Sequence, residues 1–98
     1  PTTPVAAFRI DAKTITVRGI EYPVKGPGRS SSILGRNTMV INHIGLPALT
    51  IPCGLTSEGL PIGLQFIGRA FEEELLFRVA NYYEAISPSR GRRPQIIN

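Results

Sequence analysis

Ninety-eight residues, 42% apolar and 18% charged with a net charge of +4, describe one small globular domain that can bury roughly 60–68% of its unfolded surface. That balance excludes a disordered chain, and no apolar run approaches the ~20 residues of a membrane-spanning helix. Charge is mixed along the chain, +4 over residues 1–53, −3 over 54–86 and +3 over the tail, which reads as a solvated surface, since a nucleic-acid face would need basic side chains clustered in space.

The first predicted element is a buried strand over 4–8, the apolar run Pro4-Val5-Ala6-Ala7-Phe8 entered through Pro1-Thr2-Thr3. Thr14-Ile15-Thr16-Val17-Arg18 alternates polar and apolar, the mark of a half-buried strand. Gly19 permits a turn and Ile20-Glu21-Tyr22 starts a return strand, so 13–24 is expected as an exposed hairpin. Pro23 cannot donate to a ladder and confines that return strand to an edge. Lys25 to Ser32 is a Gly/Pro/Ser loop.

A short helix is expected next, capped by Asn37 or Thr38, running to about His43 and ended by Gly45 and Pro47. Ala48 to Pro52 is apolar on both faces, as in a strand inside a covered sheet. Residues 54–59 connect it to a second strand with Ile62, Leu64 and Phe66 in alternation, expected antiparallel to the first. Gly63 leaves a gap on one face of that strand where backbone or a helix can approach. The strongest helix signal is 72–86: Leu75, Leu76, Val79, Tyr82, Tyr83 and Ile86 make one apolar stripe. Glu72, Glu73 and Glu74 occupy its first turn, where carboxylates meet the positive end of the dipole. Pro88 and Gly91 stop it, and the rest is a tail.

This is a mixed α/β pattern with three largely buried strands and only two helices. So few helices cannot cover both faces of a sheet. The chain is therefore expected either to be part of a larger polypeptide or to hide its sheet faces by self-association. It opens at Pro1 and its only methionine is Met39, which supports a processed or truncated product.

Candidate chemistry is sparse. Ser30, Ser31 and Ser32 follow Lys25 within seven positions, and Ser–Lys pairs are catalytic devices, but nothing buried there would lower the lysine pKa. His43, the single histidine, has no nucleophile or orienting carboxylate nearby in sequence. Cys53, the single cysteine, forms no internal disulfide, which points to a reducing compartment and a cytoplasmic location. No secretory n-region followed by an apolar h-region is visible. One His and one Cys ten positions apart do not make a metal site. Glu72–Glu74 read as helix-start charge, Arg90, Arg92 and Arg93 as a solubilising tail, and Tyr82 and Tyr83 as core and core-edge residues.

The block Asn42-His43-Ile44-Gly45-Leu46-Pro47-Ala48-Leu49-Thr50-Ile51-Pro52-Cys53-Gly54, followed by Gly59-Leu60-Pro61-Ile62-Gly63-Leu64-Gln65-Phe66-Ile67-Gly68, resembles the C-terminal signature of the amidase signature family. Gly35-Arg36-Asn37-Thr38 resembles the lead into that family's late helix, Pro1-Thr2-Thr3-Pro4 its core strand, and Phe71 to Glu84 its closing helix. The resemblance covers the chain from its first residue to about Ile86. It implies an α/β chain holding part of a mixed-sheet fold: a core strand in 1–12, a hairpin and loop in 13–35, a helix, strand hairpin and closing helix in 36–86, and a tail in 87–98.

Members of the family hydrolyse amides with a serine nucleophile, a second serine in a cis peptide bond and a lysine, without metal or cofactor. The resemblance implies that those serines lie upstream of this segment. Ser30, Ser31 and Ser32 lack the diglycine that precedes the family's serines, so no catalytic, cofactor-binding or metal residue is assigned in 1–98. It also implies that this segment supplies sheet and one wall of the substrate funnel, with 13–35 at the mouth. The partners implied are the remainder of the amidase chain and a small amide substrate, with no membrane. In one branch, the A subunit of glutamyl-tRNA amidotransferase, an acidic residue before the late helix helps recognise glutamine. Gly35 stands at that position, which fits a general amidase. The competing reading is a stand-alone binding or structural module touching RNA or a partner protein.

Overall fold

Regular structure begins with a tight hairpin in the computed structural model, which describes residues 1–25 and 33–93. Strands β1 (Thr14–Val17) and β2 (Ile20–Pro23) pair antiparallel, with Ile15 opposite Tyr22 and Val17 opposite Ile20. Only Arg18 and Gly19 connect them, at φ 51° and 80°. Two successive left-handed residues make the type I′ turn whose twist matches that of the strands. The hairpin is one-sided rather than fully exposed. Thr14 and Thr16 face solvent, while Ile15 and Val17 are buried. Beyond Pro23 the ladder continues through Val24 N–H donating to Lys13 O at 2.8 Å. Because Arg18 holds a conformation that costs an ordinary side chain about 1 kcal/mol and asparagine less, Arg18→Asn is expected to stabilise the hairpin by roughly 0.5 kcal/mol. A melting midpoint that fails to rise would count against this turn assignment.

The strand expected over 4–8 does not form. That stretch carries no strand pairing, and Phe8 is 41% exposed. An apolar run becomes a strand only where a neighbouring edge completes its ladder, and no edge among the described residues meets it. The chain is anchored one step earlier. Thr2 N–H donates to Gly63 O at 2.9 Å.

Helix α1 (Met39–Ile44) ends as expected, with Gly45 left-handed at φ 70° and its N–H on Ile41 O at 3.1 Å. Its start differs. Thr38 stands at the N-cap, but its hydroxyl donates to Gly35 O at 3.2 Å instead of accepting from the helix. A turn over 35–38 already feeds the helix, with the N–H groups of Thr38 and Met39 both on Gly35 O.

Strands β3 (Ala48–Leu55) and β4 (Pro61–Ile67) form the second antiparallel pair, longer at both inner ends than the sequence suggests. The register shifts between Pro52 and Gly54, so Cys53 is the extra residue of a bulge. Thr56 closes the connection: its N–H donates to Leu60 O, and its hydroxyl accepts from Leu60 N–H at 3.1 Å. On one face Leu49 pairs with Phe66 and Ile51 with Leu64, and all four are half-buried. Helix α2 (Glu73–Ile86) packs against that sheet. Leu76 and Ala80 are buried, and Tyr83 meets Phe66 edge-to-face at 6.2 Å.

The α2 stripe is split, which the sequence does not reveal. Leu76, Ala80 and Tyr83 point at the sheet. Leu75, Val79, Tyr82 and Ile86 lie in solvent, so Tyr82 is not a core residue. Nor is the β3–β4 sheet covered on both faces: Ala48, Thr50, Pro52 and Ile67 are exposed. Among the described residues five apolar side chains are buried, and none of the large ones is fully enclosed. The accessible surface of 7933 Å² compares with about 5500 Å² for a folded monomer of this mass. The radius of gyration, 15.5 Å, exceeds the ~13 Å of a compact 100-residue domain.

Candidate functional site

Three segments distant in sequence meet on the sheet face opposite α2. Gly63 lies in the middle of β4, and a Cβ there would stand 2.7 Å from Thr2 Oγ1. The missing side chain lets the N-terminal segment lie directly on the sheet, which is the close approach that Gly63 suggests. Thr2 Oγ1 donates to Thr50 Oγ1 at 3.2 Å. Asn37 joins the turn to both. Its Nδ2 donates to Pro1 O at 3.0 Å, and its main-chain O accepts from Gln65 Nε2 at 2.9 Å.

Beside this junction opens a cleft of about 280 Å³ lined by Pro1, Pro4, Thr16, Val17, Arg18, Arg36 and Asn37. Its charged groups are cationic: one guanidinium comes from the β1–β2 turn, the other from the turn before α1. Neither makes an ion pair among the described residues, where the single bridge is Arg9–Asp11 at 2.9 Å. Such a lining can hold a carboxylate or polarise a carbonyl. No carboxylate or imidazole side chain lines it to move a proton.

The other candidates stay apart. His43 is exposed in the last turn of α1. Cys53 is half-buried at the bulge, its Sγ 3.5 Å from Ile62 O. Glu72 accepts from Arg69 N–H at 3.0 Å and closes the turn before α2, while Glu73 and Glu74 are exposed in its first turn. Lys25 is exposed, and Ser30, Ser31 and Ser32 lie outside the described residues. Arg90, Arg92 and Arg93 are exposed beyond α2. Among the described residues no three His, Cys, Asp or Glu side chains converge to hold a metal ion. The Asp11 carboxyl is held below the usual range by the Arg9 guanidinium and by its own backbone N–H. That pair is solvent-exposed and far from any proton-transfer arrangement.

Sequence reasoning missed Asn37 and Gln65 as bridging groups and Arg18 as a cleft residue. Gln65 carried a usable signal, a polar residue in an apolar strand. Asn37 was ambiguous with a helix cap, and Arg18 was hidden because its turn is Arg-Gly rather than the familiar Asn-Gly.

The family model described as Amidase matches residues 1–77. The chain is similar to proteins named as the A subunit of glutamyl-tRNA(Gln) amidotransferase. It is 40% identical to that of Brevibacillus brevis over 95 residues, covering 97% of this chain and 17% of the relative. To that of Roseiflexus castenholzii it is 42% identical over 96 residues, covering 98% and 17%. To that of a Cyanothece species it is 41% identical over 96 residues, covering 98% and 18%. The chain thus spans less than a fifth of the length of these relatives. No solved structure matches it.

Proposed function

The chain belongs to the amidase family, and from that premise we propose that it is the C-terminal scaffold segment of an enzyme hydrolysing a carboxylic amide to an acid and ammonia or an amine. The observation that carries this reading is the combination of a 17% share of its relatives with a surface that leaves its apolar faces uncovered. A stand-alone module would need a closed core. In the complete enzyme a serine would attack the amide carbonyl, expel the amine and leave an acyl-enzyme for water to hydrolyse. That nucleophile and its lysine belong to polypeptide outside this segment, and the reaction would run in the cytoplasm without metal or cofactor. Residues 1–98 supply sheet strands and a wall of the substrate funnel. The cleft between Arg18 and Arg36 stands at its mouth.

Gly35 presents no carboxylate to the turn before α1, which supports a simple amide as substrate. The names of the relatives favour a second reading, in which the parent takes glutamine to feed an amidotransferase. Comparing kcat/KM of the parent for glutamine and for an unsubstituted aliphatic amide separates the two. The scaffold reading is tested on the purified 98-residue chain. It should release no ammonia from either amide, and supplying the upstream polypeptide should restore turnover. Hydrolysis by the chain alone would refute a nucleophile placed elsewhere.

A further inference from the structure

Helix α2 carries two apolar stripes. Leu76, Ala80 and Tyr83 meet the β3–β4 sheet. Leu75, Val79, Tyr82 and Ile86 repeat nearly the same spacing one residue earlier, which rotates them by about 100° around the axis. They are 47, 41, 70 and 65% exposed. The charged side chains Glu73, Glu74, Arg78 and Glu84 fall on the remaining arc, so no charge interrupts this outer stripe. A surface helix docked on one sheet needs one stripe. A helix apolar over so wide an arc belongs between two layers.

We infer that the outer stripe of α2 is an interface within one polypeptide, covered by the remainder of the parent enzyme and not by a second copy of this chain. The inference rests on the reading of the chain as a segment of a larger amidase. The length of the relatives chooses the occupant. They hold more than four-fifths of their length outside the matched segment, ample chain to form a covering layer.

The test uses the full-length parent with cysteines placed by Val79→Cys and Tyr82→Cys on the outer stripe, and by Glu74→Cys on the charged arc as control. Maleimide labelling is followed by peptide mass. Labelling of a covered position requires local opening, so both stripe positions should react about 100-fold more slowly than the control, at every protein concentration. Reaction at the control rate overturns the inference. So does protection that disappears on dilution, which assigns the stripe to a second copy. Hydroxyl-radical footprinting of Tyr82 in the unsubstituted parent repeats the reading with no variant that could misfold. Amide hydrolysis is assayed separately. Protection without hydrolysis would sink the enzymatic reading alone, whereas hydrolysis with a freely labelled stripe would sink this one.

Discussion

Leu76→Ala is expected to release α2 from the β3–β4 sheet. Leu76 is 7% exposed and is the only large apolar residue of α2 that is buried. It also sits against Gly68, where an added Cβ would come within 3.2 Å of its Cγ. Truncating a buried leucine costs about 2–5 kcal/mol, more where the site cannot collapse. With five buried apolar side chains in the described core, few neighbours can move in to fill the gap. The Phe66–Tyr83 edge contact, worth about 0.5–1.5 kcal/mol beyond its area, depends on the same docking and should go with it. The readouts are a lowered melting midpoint and loss of the near-ultraviolet dichroism of Tyr83. Leu75→Ala, one position away on the outer stripe, should change the isolated chain by no more than about 0.5 kcal/mol. Equal losses from the two would contradict the division of α2 into a docked and a bare stripe.

Gly63→Ala should lift the N-terminal segment from the sheet. The new methyl would lie 2.7 Å from Thr2 Oγ1, 3.1 Å from Thr50 Cγ2 and 3.2 Å from Thr2 Cβ. Thr2 cannot yield by side-chain rotation alone, because its own Cβ is among the crowded atoms. The segment must therefore shift, weakening Thr2 N–H to Gly63 O at 2.9 Å and Asn37 Nδ2 to Pro1 O at 3.0 Å. Overpacking of this kind costs about 1–3 kcal/mol. Amide exchange reports it locally as lost protection at Thr2, and chemical denaturation reports it globally. Adding Thr2→Gly removes the two crowding atoms of Thr2, leaving Thr50 Cγ2, and should recover part of the loss. Retained Thr2 protection in Gly63→Ala would show that Thr2 does not approach Gly63 so closely. The same substitution should matter in the parent enzyme, since it loosens one wall of the Arg18–Arg36 cleft.

Both expectations turn on contacts between segments far apart in sequence, and these were the features the residues did not disclose. Gly63 announced that something comes close without saying what. The outer and inner stripes of α2 looked like one stripe, because spacing reports which residues share an arc and not which part of it meets a partner. Residues 4–8 have strand composition and form no strand, since a ladder requires an edge that composition cannot supply. Thr38 has the right residue type for a cap, yet its hydroxyl goes to Gly35 O. No local rule distinguishes these uses of one side chain.

Local conformation, in contrast, was written in the residues themselves. Gly45 ends α1 where a left-handed residue is needed, Gly19 turns the first hairpin, and alternation in 14–17 separates buried Ile15 and Val17 from exposed Thr14 and Thr16. The Gly/Pro spacing of 42–68 was enough to indicate the family. Steric limits on backbone angles and the two side-chain periodicities act within a few residues, so they survive in any fragment of the chain. Only the tertiary structure decided that Thr2, Asn37 and Gln65 meet, that Arg18 and Arg36 share a cleft, and that half of the apolar arc of α2 stays bare. Those outcomes depend on which surfaces are present to bury one another, and burial is a property of the assembled polypeptide.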